Sequence, residues 1–497
     1  MDCCSESSWA EEQARHGTGK ESTKRGQCTY ILYTIICADR RLMRLRCEVA
    51  RMTIETLPDV VLLEIFGFYV DKEESTDEWY TLVHVCRKWR NVVFGSPLSL
   101  DLRLLCFSNT PVRETLGVWP PLPIVVLGSG HETWGMDNVI AALEQNDRIR
   151  RLELPNMTSS QLERVLDAMQ QPFPALTRLW LGPINETAPV VPASFLGGSA
   201  PNLQSLWLDC IPFPGLPKLL MFSTHLVQLF LYEIPHSGYV SPESMVNCLS
   251  VLTRLEKLDI GFESPRSCPA RKRQRSPPQA LTVLPVLTQL WFKGVSEYLE
   301  ELLARIDAPL LNNLWITFFH QLIFDTPLLA QFITRTPNFK AHNEAHVFFL
   351  DEEVSVTLPQ ISNEMLRLGI SSRRTDWQLS SLAQVCRSSF PTFIPTVEHL
   401  YLLEDEFVDW QDDIENSQWL ELLCQFTAVK HLYISWEFAP HFASILPKFV
   451  AEKGAEVLPT LQTLFMEEPE SVHETIGKFV AARQLSSHPV AVSHWKR

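Results

Sequence analysis

One leucine motif recurs through most of this chain and constrains its fold more strongly than any other feature. The form LxxLxL is clearest at residues 176–181, 203–208 and 226–231. Consecutive anchor leucines from Leu152 to Leu314 lie 23 to 32 residues apart, a spacing typical of leucine-rich repeats. The eleven anchors, of which the first and eighth belong to weaker copies, are Leu152, Leu179, Leu206, Leu229, Leu258, Leu290, Leu314, Leu366, Leu400, Leu432 and Leu464.

Such a repeat predicts an α/β solenoid. Each motif forms a short strand whose leucines point inward, and the residues between motifs return as a helix that covers them. Ser160 with Glu163 indicates a capping box at the start of one return helix, and Asp137 can cap another. The array therefore begins upstream of the clearest copies.

The repeat is irregular in its middle. Residues 124–127 already indicate a strand before the first copy, but the motif fades between Leu314 and Leu366. Residues 345–350 and 354–358 indicate strands of another register in that interval. A bulge or a nested hairpin is expected there.

A column of aromatic residues accompanies the leucines. The residue between the last two leucines of each motif points away from the core, to the concave face. Eight of the eleven copies carry an aromatic residue there, although aromatic residues make up 10% of the chain, so chance predicts about one. The column reads Glu153, Trp180, Trp207, Phe230, Asp259, Trp291, Trp315, Arg367, Tyr401, Tyr433 and Phe465.

The eight aromatic positions are candidate substrate-binding residues, because rigid aromatic side chains supply much of the contact area at protein interfaces. The position two residues earlier is mostly polar, as in Arg178, Ser205 and Gln228, and could orient a partner. Two alternatives remain open. The rings could pack on one another for stability, or the chain itself could cover them, for example through its C-terminal segment 472–485.

A second feature precedes the repeats. Residues 57–66, LPDVVLLEIF, place Pro58 where a helix begins, because its fixed φ suits the first helical turn. Leu62, Ile65 and Phe66 then share a helical face. Residues 84–90, HVCRKWR, belong to another helix of similar pattern, and an acidic loop separates the two. The pattern indicates a helical module that binds a partner.

These residues resemble the F-box, the helical module through which substrate receptors dock on the Skp adaptor of SCF-type cullin-RING ubiquitin ligases. The match spans about residues 53–98. With the repeats, the chain resembles the F-box leucine-rich-repeat proteins, particularly the F-box-like set of mushroom-forming fungi. The resemblance implies a three-helix F-box-like module followed by an irregular leucine-rich-repeat solenoid. The adaptor-binding residues would be Leu57, Pro58, Val61, Leu62, Ile65, Val85, Cys86 and Trp89.

Composition narrows the class of protein. The net charge of −15 opposes a nucleic-acid partner, which would require basic residues. Twelve cysteines occur without a metal-ligand spacing, so we expect no metal, no cofactor and a reduced cytoplasmic or nuclear location. The apolar run at residues 30–37 is too short to span a membrane.

The expected divisions of the chain are a weakly ordered tail at 1–51, the F-box-like domain at 52–98, the solenoid at 99–485 and a tail at 486–497.

No catalytic motif stands out. The sequence contains neither HExxH nor GxSxG, and its one phosphate-loop hint, residues 17–20, lacks the required first Gly. The expected function is therefore a non-catalytic substrate receptor of an SCF-type ligase, which binds an adaptor, through it a cullin, and an unknown protein target. The alternative is a ligase-independent leucine-rich-repeat scaffold or ligand-sensing protein. A hydrolase hidden in the irregular middle is a third hypothesis.

Overall fold

A computed structural model describes most of the chain after residue 56. The predicted tail at 1–51 and the acidic loop at 71–77 lie outside the described residues. None of the described helices is long and apolar enough to cross a bilayer. The described residues are 57–70, 78–96, 101–109, 111–118, 121–127, 134–184, 188–268, 281–340, 343–350, 352–359, 365–371, 375–404, 416–436, 438–439, 442, 457–467, 473–485 and 488–495.

One long sheet dominates the structure. Sixteen of the described strands form it, and almost all of its neighbouring strands are parallel. Its first strands are β1 (Leu102–Leu105), β2 (Ile124–Leu127), β3 (Ile149–Met157), β4 (Arg178–Pro183), β5 (Ser205–Asp209), β6 (Gln228–Ile234), β7 (Lys257–Phe262), β9 (Gln289–Gly294) and β11 (Asn313–Phe319). The remaining seven are β12 (Glu344–Leu350), β13 (Glu353–Pro359), β14 (Met365–Ser371), β15 (His399–Glu404), β16 (His431–Ile434), β17 (Thr463–Met466) and β18 (Ala491–His494). Two short strands, β8 (Thr282–Val283) and β10 (Ile306–Asp307), pair separately.

The repeat motif has formed the strands that it predicts. Every one of the eleven anchors lies in a strand of this sheet. Parallel neighbours pair anchor to anchor, as Leu179 with Leu206 and Leu206 with Leu229. The anchors are fully buried. The strand at residues 124–127 is confirmed as well.

Helices cover the leucine side of the sheet, and their buried residues join the anchors in one continuous core. This is the architecture of a leucine-rich-repeat-like solenoid. The helices are α1 (Asp59–Val70), α2 (Glu78–Val85), α3 (Arg87–Gly95), α4 (Val112–Val118), α5 (Met136–Leu143), α6 (Ser159–Ala168), α7 (Leu216–Met221), α8 (Pro242–Leu249), α9 (Ser296–Leu303), α10 (Pro327–Arg335), α11 (Thr375–Ser389), α12 (Asn416–Leu423) and α13 (His473–Leu485).

Two predicted caps were placed wrongly. Helix α6 begins with a capping box of Thr158 and Gln161, not of Ser160 and Glu163. Thr158 leaves β3 in an extended conformation, so its hydroxyl reaches the backbone N–H of Gln161, and the Gln161 side chain accepts from the Thr158 N–H. Helix α5 begins after Gly135, which leaves Asp137 inside the first turn.

The irregular middle is a nested hairpin. Strand β13 runs antiparallel to both β12 and β14, whereas β14 is parallel to β11 and β12 is parallel to β15. The spatial order β11-β14-β13-β12-β15 therefore lets an insertion join two parallel arrays without a break in the sheet. The sequence pattern had indicated either a bulge or a hairpin, and the hairpin is what forms.

The sheet also extends into segment 486–497, for which the sequence pattern indicated only a tail. Strand β18 pairs in parallel with β17, and Leu464 is in register with Val492. The segment carries no LxxLxL motif, and all four residues of β18 are exposed. Backbone hydrogen bonds to β17, and not leucine burial, therefore define this last strand.

A carboxylate from the preceding repeat caps the start of helix α10. Buried Glu300 of α9 accepts hydrogen bonds from the backbone N–H groups of Leu328 at 3.0 Å and Leu329 at 2.7 Å. First-turn N–H groups have no partner inside their own helix. We expect Glu300→Ala to lower the free energy of unfolding by about 2 kcal/mol, because buried donors lose their acceptor.

Glu300→Gln is the matched control, because it retains one acceptor oxygen and should lose less. The measurement is urea unfolding of all three proteins. Equal stability of the alanine variant and the wild type would show that the carboxylate does not support α10.

Candidate functional site

The sheet has a second face, which carries the residues that alternate with the buried leucines. We call it the ladder face, and its eleven positions from Glu153 to Phe465 the ladder column. Neighbouring members of the column are in register, as Trp180 with Trp207 and Trp207 with Phe230. The predicted strand phase is therefore confirmed for these copies.

The aromatic side chains form a first stack on β4 to β9. The ring centroids of Trp180 and Trp207 are 5.1 Å apart, and those of Trp207 and Phe230 are 4.6 Å apart. Trp291 lies 6.0 Å from Phe230, across the smaller Asp259 on β7. Strand spacing of about 4.8 Å matches the favoured distance between aromatic rings, so in-register aromatics stack readily.

A second stack lies on β15 to β17. Tyr401 and Tyr433 are 4.2 Å apart and nearly parallel, and Tyr433 and Phe465 are 4.5 Å apart. The ring of Trp495, just after β18, packs edge-on against both tyrosines. This C-terminal residue covers part of the column, whereas Ile476 and Phe479 of α13 belong to the leucine core. The chain itself therefore covers part of the column, through Trp495 and not through the described residues of segment 472–485.

A polar group separates the two stacks. The guanidinium of Arg367 lies 4.2 Å above the Trp315 ring and donates a 2.7 Å hydrogen bond to Glu353 on β13. Gly369 makes room for that carboxylate, because a Cβ there would approach Glu353 Oε1 to 2.5 Å. The hairpin thus supplies the acid that holds Arg367 against Trp315.

The candidate substrate-binding residues are arranged as predicted, but they differ in accessibility. Phe230 is buried, with 5% of its surface exposed, whereas Trp315 is 37% exposed. Trp180, Trp207, Trp291, Tyr401, Tyr433 and Phe465 are intermediate. The rings therefore both stabilise one another and present an apolar strip to solvent.

Asp259 interrupts the first stack and is a buried acid. Burial raises its pKa to about 6, while a hydrogen bond from the Tyr232 hydroxyl acts in the opposite direction. The pKa of an aspartate in an unfolded chain is about 4. The folded state therefore binds this proton more tightly, so the stabilisation is present below about pH 4 and is lost as pH rises through about 6.

We expect Asp259→Asn to be more stable than the wild type at pH 7 by about 2 kcal/mol and to show no advantage at pH 4. The asparagine removes the charge and keeps an acceptor for Tyr232. Denaturant unfolding of both proteins between pH 4 and 7 measures the difference. A stability difference between the two proteins that stays constant from pH 4 to 7 would contradict the raised pKa of Asp259.

Three neighbouring groups are close enough to share a metal ion: Asp209, Cys210 and Glu233. Cys210 Sγ lies 3.5 Å from an Asp209 oxygen and 3.2 Å from a Glu233 oxygen. Burial, with the two carboxylates, raises the pKa of the Cys210 thiol. The single proton of the Cys210 thiol can be donated to either carboxylate, and Glu233 is the nearer acceptor.

The three N-terminal helices pack against one another, and their buried residues belong to the same continuous core as the repeat leucines. Leu62 and Phe66 of α1, Leu82 and Val83 of α2, and Val92 and Val93 of α3 are all buried. The rings of Phe66 and Trp89 are 4.8 Å apart. Cys86 caps α3 by accepting from the Trp89 backbone N–H, and Lys88 donates to the Leu57 carbonyl at 2.7 Å.

The eight candidate adaptor-binding residues therefore separate into two groups. Leu62 is fully buried, and Leu57, Cys86 and Trp89 are half-buried in contacts within the module. These residues shape the module. Pro58, Val61, Ile65 and Val85 lie at its surface, the last three exposed by 41%, 40% and 54%.

Sequence reasoning missed two residues of this surface. Val60 is 71% exposed and Phe68 is 80% exposed on α1. The available signal was that α1, DVVLLEIFGFYV, is apolar on nearly every side. A helix of that kind needs cover all round, and the module buries only one of its sides. We call Val60, Val61, Ile65, Phe68 and Val85 the outer apolar face.

Comparison with known proteins adds little to this geometry. No known protein family and no curated protein matches the chain. One of the matching solved structures is the leucine-rich repeat-containing protein LegL7 from Legionella pneumophila, at 12% identity, with 76% of this chain and 97% of that one covered and a TM-score of 0.26. At that TM-score the likeness carries no argument about function.

Proposed function

We propose that this protein is the substrate-recognition subunit of an SCF-type ubiquitin ligase. The observation that carries the proposal is the outer apolar face, which lies on the side of α1 away from the buried Leu62 and Phe66. Four of its five residues are exposed on α1 and the fifth, Val85, ends α2. Large apolar side chains exposed in this way favour a protein partner. The LP-to-VCRKWR motif, which resembles the F-box, assigns that partner as a Skp-type adaptor.

Docking would be driven by burial of this face. Apolar surface removed from water contributes about 25 cal/mol per Å², and lost rotational and translational freedom opposes association. The half-buried residues Leu57 and Trp89 would act indirectly, since Trp89 packs against Phe66 of α1 and the Leu57 carbonyl accepts from Lys88 of α3. Pro58 and Val61 would contact the adaptor at the start of α1.

The ladder face would receive the protein target. It offers stacked rings at the centre and polar residues beside them, an arrangement that suits recognition without catalysis. In this proposal the protein contributes no chemical step, and a cullin-RING complex bound through the adaptor transfers ubiquitin. The compartment would be the cytoplasm or the nucleus.

Affinity purification of the full-length chain from its native cells tests the proposal. Recovery of both a Skp-type adaptor and a cullin, identified by mass spectrometry, is the expected result. Recovery of other partners without either protein would contradict it.

That second outcome would favour a ligase-independent repeat scaffold or ligand-sensing protein. One observation supports this alternative. The ladder column has a partly accessible aromatic stack on each side of the hairpin, so it could bind a partner whether or not the helical module docks.

A further inference from the structure

A row of basic residues lies beside the ladder column at the start of the strands. In cross-strand register from β1 to β11 run Arg103, Val125, Arg151, Arg178, Ser205, Gln228, Lys257, Gln289 and Asn313. Four of these nine positions are basic and none is acidic. For a chain of net charge −15, this is a local reversal of sign.

The first strands form a cleft around this row. It has a volume of about 360 Å³ and is lined by four arginines, the three from β1, β3 and β4 and Arg150 of β3. Asp101 is the one carboxylate among its described lining residues, and it pairs with Arg150 at 3.3 Å. Glu153 of the ladder column accepts hydrogen bonds from two of the lining arginines, Arg151 at 2.7 Å and Arg178 at 2.8 Å.

These carboxylates neutralise only part of the positive charge. Arg150, Arg151 and Arg178 carry three positive charges, and among the described residues only these two carboxylates pair with them. Arg150 and Arg178 also keep nearly half of their side-chain surface exposed. Each guanidinium has five N–H donors, so donors remain for an acceptor from another molecule.

The opposite ends of the strands carry the opposite charge. A larger cavity of about 540 Å³ lies there, and its described lining residues include Glu233, Glu263 and Glu352. Its one lysine, Lys293, lies 3.9 Å from Glu233. An acidic ligand on the ladder face is therefore attracted to one side and repelled from the other.

We propose that the cleft at the start of β1 to β6 binds an acidic peptide segment of a protein partner, with the adjacent rings of Trp180 and Trp207 contacting its apolar residues. Charge complementarity supports this occupant, since guanidinium groups pair with carboxylates and phosphates in bidentate geometry. Six strands at about 4.8 Å spacing extend over about 24 Å, which an extended segment of about eight residues spans. The inference deepens the proposed function, on which it rests for the role of the ladder face.

The test measures binding of fluorescein-labelled peptides to the purified full-length chain by fluorescence anisotropy. One peptide contains glutamates with one tryptophan, a second replaces the glutamates by phosphoserines, and a third replaces them by lysines. We expect the two acidic peptides to bind and the basic peptide to bind at least about tenfold more weakly. Salt should weaken the acidic complexes, because screening shortens the range of the attraction.

Two arginine pairs make a matched comparison. Arg103→Ala with Arg150→Ala should weaken the acidic peptides by about tenfold. Arg113→Ala with Arg164→Ala should leave binding unchanged, because these arginines pair with Glu144 and Asp137 elsewhere. Asp101→Asn should strengthen binding about twofold, since it removes a repelling carboxylate. A gain of affinity cannot come from misfolding.

Equal binding by the cleft variant and the wild type would overturn the inference, as would equal loss in both double variants. Tighter binding of a single-stranded RNA oligonucleotide at the same arginines would overturn it too. If either acidic peptide binds more tightly than the other, the inference is supported, and the tighter peptide shows whether the cleft prefers phosphoserine or glutamate. The assay contains no adaptor, so its failure leaves adaptor docking intact, and failure of adaptor capture leaves this inference intact.

Discussion

Phe68→Glu combined with Ile65→Glu is expected to abolish capture of a Skp-type adaptor. Both residues lie on the outer apolar face of α1, where Phe68 is 80% exposed. In the complex each change removes apolar burial and places a charge in a desolvated contact. Loss of a buried phenylalanine contact alone weakens binding by about 3 kcal/mol, or roughly a hundredfold. The measurement is the affinity of purified adaptor for immobilised full-length protein.

Phe222→Glu is the matched control, because Phe222 is also an exposed phenylalanine, at the end of α7 in the solenoid. It should bind the adaptor as the wild type does. Neither outer-face residue contributes to the module interior as Leu62 and Phe66 do, so circular dichroism should show unchanged folding. Adaptor affinity that is the same for the double variant, the control and the wild type would refute the docking surface.

Phe349→Ala is expected to cause the largest loss of stability from a single substitution. Phe349 on β12 stacks 4.9 Å from Phe438, and its ring lies 5.4 Å from that of Trp419 on α12. The three rings join the hairpin to the second array. Phenylalanine-to-alanine changes in a packed core cost about 3–5 kcal/mol, because they leave a cavity as well as exposed apolar surface.

Phe348→Ala is the control within the same strand. Phe348 points to the ladder face and is only half-buried, so its loss should cost about 1 kcal/mol. Urea unfolding of both variants, with midpoint and slope compared, measures the difference. If Phe348→Ala were the more damaging change, the assignment of faces in β12 would be wrong.

The parts of the fold that depend on side-chain periodicity could be predicted from the sequence. Leu206 must be buried and Trp207 must face the other way, because successive side chains of a strand alternate. The pattern therefore located the strands and the ladder column. It could not locate β18, because that strand buries no leucine and is defined by hydrogen bonds to β17.

Local capping chemistry was less predictable. Thr158 and Ser160 are both suitable cap residues two positions apart, and the course of β3 decides between them.

The contact of Arg367 with Trp315 and Glu353 could not be predicted from the sequence, because it depends on the hairpin that brings β13 next to β14. No spacing along the chain encodes that triplet.

The same division applies to the candidate sites. The motif residues from Leu57 to Trp89 predicted a helical docking module, yet only packing showed that Leu62 is buried and that Val60 and Phe68 are exposed. Likewise, Arg103, Arg150 and Arg178 are far apart in sequence, and parallel pairing brings them to one cleft. The sequence by itself determined the eleven repeat strands and the two faces of the sheet, because period and side-chain polarity are local properties. The tertiary structure alone decided which residues remain exposed and which charges adjoin, because both depend on neighbours from distant repeats.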